Sequence, residues 1–69
     1  MAKGQEECFF EGAIYAACLL VRLHDQPGMA ADVLKEAGLR TWDCSELEEF
    51  EKEMLRIINE EKDMALRGL

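Results

Sequence analysis

Proline occurs once, at Pro27, histidine once, at His24, and no Cys-x-x-Cys pair is present. The single proline, with 49% hydrophobic and 33% charged residues, argues against a disordered chain, which needs low hydrophobicity. Without Cys and His pairs at short spacing there is no pattern for a four-ligand zinc site. The three cysteines, Cys8, Cys18 and Cys44, are odd in number and lack a close pair, so they do not read as a disulfide framework. Cys8 and Cys18 fall about 280° apart on an ideal helix. All three are expected to be small buried hydrophobes in a reducing compartment. His24, next to Asp25, has no nucleophile near it in sequence and reads as a solvated residue at a helix end. No nucleophile–base pair and no metal constellation can be assembled, so neither catalysis, metal nor cofactor is expected.

Basic charge is scarce as well. Eight Lys and Arg face 15 Asp and Glu, for a net charge of −7. That speaks against direct nucleic-acid binding, which needs a basic patch. The longest apolar run, Gly12 to Val21, is half of the roughly 20 residues a membrane span requires. Glu6 and Glu7 spoil the positive start of a signal peptide. The expectation is a cytoplasmic protein with no membrane contact.

What is present is one domain of 69 residues. A chain of this length buries only about 60% of the surface it exposes when unfolded. A core this small rarely supplies more than about 3–5 kcal/mol, so regular helix packing or a second copy of the chain must add to it. Gln5 to Asp25 reads as a first helix, apolar nearly all round between Phe9 and Leu23 and so in need of burial on every side. A chain this short has little else to wrap it, and a second copy is the simplest cover. Gly12 with Ala16, and Ala13 with Ala17, place small residues four apart, a spacing that lets two helices approach closely.

Pro27-Gly28 breaks the first helix. Met29 to Ala37 reads as a short second helix, with Ala30, Val33, Leu34 and Ala37 at the helical period. Gly38 then provides a stop, with Leu39 as its hydrophobic contact. Two overlapping capping boxes, Asp43 to Glu46 and Ser45 to Glu48, announce a third helix over 43–67. Its apolar stripe, Leu47, Phe50, Met54 and Ile57, continues through Glu61 to Met64 as a heptad seam. Glu61 within the seam calls for a basic neighbour such as Arg22 or Arg67. The expected architecture is all-α: an antiparallel hairpin of two long helices with a short connecting helix, two copies forming a four-helix-like bundle. Phe10, Ile14, Leu20, Leu47, Phe50, Met54 and Ile57 are the candidate core and dimer residues.

The acidic charge is concentrated. Between Asp43 and Asp63 nine acids face three bases, which is −6 of the total −7. Glu46, Glu49, Glu53 and Glu60 recur at +3, +4 and +7 and would form a row about 21 Å long on one helix face. Glu48–Lys52, Asp63–Arg67 and Glu53–Arg56 are candidate ion pairs on that helix. Two readings of the row stand: an ordinary solvated face, or a surface for a basic partner such as the DNA-contacting groove of a regulator. Trp42, in the connection before the third helix, is either a lid on the hairpin end or an anchor for a partner.

In its length, its apolar first helix (Phe9 to Leu23), its short Ala30-to-Leu39 segment and its acidic stretch from Ser45 to Asp63, the chain resembles small early proteins of temperate phages. It is most similar to the phage-encoded quorum-sensing anti-activators. The resemblance implies a non-enzymatic protein that binds the DNA-binding domain of a host LuxR-type transcription activator and blocks promoter binding. It also implies a pilus-assembly ATPase as a possible second partner. Inhibition of another host machine, that ATPase or a CRISPR effector, is the alternative, and a purely structural adaptor is a third reading.

Overall fold

A computed structural model describes residues 5–69, with side chains from Cys8 onward. The described residues form three helices, α1 (Gln5–His24), α2 (Pro27–Glu36) and α3 (Glu49–Ile58). The chain is all-helical, but only α1 is long.

The first two helices follow from local signals. After His24 the backbone turns at Asp25, whose φ of 52° is a left-handed conformation that Asp tolerates. The Asp25 and Gln26 amides donate back to the Val21 and Leu20 carbonyls. Pro27 then opens α2 at its first turn, where a missing N–H costs nothing. Proline thus both ends one helix and starts the next, two residues before the expected Met29. The α2 stop has the expected form: Gly38 is at φ 79°, its amide donates to Lys35, and the Leu39 amide donates to Leu34 at 2.8 Å. Leu39 itself is fully buried.

The third helix differs from the expected 43–67. It covers ten residues. Asp43 does capture a free amide, but that of Ser45 at 3.0 Å, two residues on, as an Asx turn and not as a helix start. Glu48 precedes the helix in extended backbone without a side-chain cap. At the other end Asn59 closes the helix, and its side chain holds the returning chain: Oδ1 accepts from the Leu66 amide at 2.8 Å. Asp63, at φ 68°, completes the reversal. Residues 64–69 then lie along 40–44. The Ala65 amide donates to Arg40, the Arg67 amide to Trp42, and the Cys44 amide to Arg67. The Arg67 Nε donates to the Thr41 carbonyl at 2.9 Å, and Arg40 donates to the Asp63 carbonyl at 3.0 Å. Continuing the helix would satisfy the same backbone groups. Folding back additionally buries Leu66, which is 8% exposed, against the core.

The core draws on every segment: Ile14, Ala17, Cys18 and Val21 from α1, Ala30, Ala31 and Leu34 from α2, Leu55 and Ile58 from α3, with Leu39, Cys44 and Leu66. Ala17, Ala30 and Ala31 are at most 1% exposed, so it is small residues that let α1 and α2 close on each other. The antiparallel pairing expected of the first and third helices does not form. The Trp42 ring packs at a tilt against Phe10, the Cys18 thiol donates to the Glu51 carbonyl, and the Arg22 guanidinium lies over the Phe50 ring. From Trp42 to Glu51 the chain therefore follows α1 in its own direction, and α2 is the returning helix.

The expected heptad seam is also displaced. Leu55 and Ile58 are fully buried, whereas Phe50 and Ile57 are 42% and 40% exposed. Leu47 and Met54 are half-buried. The seam assumed a long helix pairing along its length. A ten-residue helix capping a two-helix layer turns a neighbouring stripe inward.

Candidate partner-binding surface

A groove of about 480 Å³ separates the N-terminal half of α1 from the connection before α3. Its apolar lining is Phe10, Ile14, Trp42 and Leu47, and its polar lining is Glu11, Asp43, Ser45 and Glu46. A second cleft of about 390 Å³ continues past Tyr15 between Glu46, Glu48 and Glu51. Among the described residues, no Lys or Arg lines either one.

Trp42 is the best-fixed part of the floor. Its ring centre lies 5.0 Å from that of Phe10, tilted by 56°. Its backbone is held on both sides, the amide by Leu39 and the carbonyl by the Arg67 amide at 2.9 Å. The Cys44 thiol donates to the same carbonyl. The side chain is half-buried, so part of it remains available from the groove. Asp43 is held below the usual carboxylate range, first by the Ser45 backbone amide and also by Arg67 and Lys52. It is therefore a fixed negative charge at the groove edge at neutral pH.

The groove unites two of the expected partner-binding residues, Trp42 and Glu46, with Phe10 and Leu47. It does not unite the rest. Glu46 precedes α3 and Glu60 follows it, so the expected row of four on one helix reduces to Glu49 and Glu53. Glu49 is 2.7 Å from Arg56, a pair that lowers its pKa, and Arg56 thereby reaches past its expected partner Glu53. The expected Asp63–Arg67 pair is replaced by the contacts of Arg67 with Thr41 and of Arg40 with Asp63. Glu11, Asp43, Glu48 and Glu51 were not singled out as site residues from the sequence. No local pattern joins residue 11 to residues 43–51, and only the close approach of the connection to α1 does so.

Of the candidate core and dimer residues, Ile14 is buried, and Phe10, Leu20, Leu47 and Met54 are half-buried. Phe50 and Ile57 face solvent. A second apolar surface lies on α1 itself, where Phe9, Tyr15 and Leu23 are 59%, 53% and 63% exposed. The helix expected to be covered on every side is covered on one.

Two of the three cysteines are buried as expected, whereas Cys8 is exposed. Burial, with Glu51 and Cys44 nearby, pushes the Cys18 thiol up to about 12, and burial raises Cys44 too. Thiolate is the reactive form, so both core thiols are protected twice, by access and by charge state. Iodoacetamide at pH 8 should leave Cys18 and Cys44 unmodified in the folded chain and modify all three cysteines in the urea-unfolded chain, as read by intact mass. Rapid modification of Cys18 in the folded chain would contradict this packing.

Among the described residues, no three His, Cys, Asp or Glu side chains cluster to hold a metal ion. No helix among them is long and apolar enough to cross a membrane. No known protein family, no curated protein and no solved structure matches the chain.

Proposed function

We propose that this chain is a non-enzymatic inhibitor that works as a homodimer, binds the basic DNA-binding domain of a LuxR-type transcription activator and keeps it from its promoter. The observation that supports this reading is the groove with an aromatic and aliphatic floor, carboxylates at its rim and, among the described residues, no basic residue lining it. DNA-contacting surfaces carry Arg and Lys aimed at phosphates. Such a side chain entering this groove lays its aliphatic stem and guanidinium on Trp42 and meets Asp43 and Glu46 at the edge. The partner's basic groups are then occupied by carboxylates instead of phosphates. A net charge of −7 steers the encounter and makes it salt-sensitive.

The test uses Trp42, the sole tryptophan, as its own reporter. Titration of a purified LuxR-type DNA-binding domain should change its fluorescence, and operator DNA should reverse the change. Glu46→Lys with Glu48→Lys should weaken binding about tenfold or more, because two exposed pairs at up to about 1 kcal/mol each are lost. Circular dichroism should stay helical, since both side chains are exposed. Unchanged affinity in that variant would remove the groove from the mechanism. Capture of an ATPase or a CRISPR effector in place of the regulator would redirect the reading to the alternative host machine.

A further inference from the structure

We infer that the outward face of α1 is the contact between two copies of this chain, laid antiparallel about a twofold axis at Ala16. The inference deepens the homodimer in the reading above and rests on it. The face consists of Cys8, Phe9, Gly12, Ala16, Leu19 and Leu23, which span about 100° of the helix circumference. Phe9 and Leu23 are 59% and 63% exposed, Cys8, Gly12 and Ala16 are exposed, and Leu19 is half-buried. None of the six is an Asp, Glu, Lys or Arg, in a chain whose net charge is −7. Two acidic chains can meet here without opposing carboxylates.

The order of residues sets the direction. Large side chains stand at the two ends and Gly12 and Ala16 in the middle. With the axis at Ala16, Phe9 of each copy meets Leu23 of the other, and Ala16 meets Ala16 where the backbones come closest. Glu11 and Arg22 lie on one flank, about 100° from the centre of the face. Antiparallel helices set like flanks together, so Glu11 of each copy falls within one residue of Arg22 of the other. The twofold repeats this, and two opposite-charge pairs result. A parallel twofold arrangement sets like flanks on opposite sides of the interface, so neither Glu11–Arg22 pair would form. Charge complementarity thus favours a second copy as the occupant and fixes how it lies.

Sedimentation equilibrium of the full chain should give twice the 7.9 kDa chain mass. Glu11→Arg alone and Arg22→Glu alone should each weaken the dimer about tenfold, and the double swap should recover most of the loss. Arg22 also lies over Phe50, so circular dichroism accompanies each variant. A disulfide test needs neither charge. In a Cys8→Ser background, Ala16→Cys should cross-link to its own symmetry mate on mild oxidation. Native Cys8 should not cross-link, because the axis separates the two copies' Cys8 by about 24 Å along the helices. A monomer at all concentrations would overturn the inference, as would cross-linking through Cys8 in place of Ala16→Cys, or a double swap no better than the single ones. A monomer that still binds the basic domain would remove the dimer and leave the groove, so the two readings fail separately.

Discussion

Leu55→Ala should leave the chain largely unfolded at 25 °C, whereas Ile57→Ala, two residues on in the same helix, should leave it folded. Leu55 is 0% exposed and lies in the core with Leu34 and Ile58, while Ile57 is 40% exposed. Truncating a buried leucine to alanine costs about 2–5 kcal/mol, from lost burial and from the cavity left behind. A domain of this size has only about 3–5 kcal/mol from its core. The half-covered Ile57 should cost about 1 kcal/mol. With a urea dependence near 1 kcal/mol per molar, the two midpoints should differ by about 1–4 M. The contrast decides between two helix faces. If Ile57→Ala were the severe change and Leu55→Ala the mild one, the heptad seam would be the buried stripe after all.

Gly68→Ala should release the C-terminal tail. Gly68 is at φ 76°, where a residue with a Cβ pays about 1–2 kcal/mol. The added methyl would also stand 2.6 Å from the Ser45 amide nitrogen and 2.9 Å from its Cα, and backbone cannot swing aside as a side chain can. Gly38 is the control. It has φ 79° but open space around its Cβ position, so Gly38→Ala carries the conformational cost alone. The expected loss is about 3 kcal/mol or more for Gly68→Ala and about 1 kcal/mol for Gly38→Ala. Hydrogen exchange should show it locally. The Cys44, Ala65 and Arg67 amides are bonded between tail and connection and should lose protection in Gly68→Ala and keep it in Gly38→Ala. Equal stability losses in the two variants would mean the tail does not hold this close contact.

The sequence singles out Trp42 and Glu46 as candidate site residues, one as an aromatic in a connection and the other as part of an acidic run. It does not show their shared groove. Glu46 was expected on a helix in line with Glu49, Glu53 and Glu60, and instead it lines a groove with Phe10 and Glu11. The capping boxes at Asp43 and Ser45 misled for a physical reason. The same carboxylate that can cap a helix can close an Asx turn, and sequence alone does not choose between them. Asn59 and Asp63 were the available signs of a helix end, since both residue types tolerate the backbone found at a reversal. The regular spacing of Leu47, Phe50, Met54 and Ile57 points past them to a longer helix.

The sequence by itself determined an all-helical chain, the near limits of its first two helices, the stop at Gly38 and the concentration of acid after Asp43. These rest on interactions reaching no more than about six residues along the chain: backbone turns, a fixed proline φ and a glycine at positive φ. Only the tertiary structure decided where α3 begins and ends, which of its faces is buried, and that carboxylates from α1 and the connection share one groove. Those outcomes turn on residues 40–44 pairing with 65–67, and on Leu66 reaching a core built by α1 and α2. A helix and a folded-back tail satisfy the same backbone groups. The choice between them was made by apolar burial against distant segments.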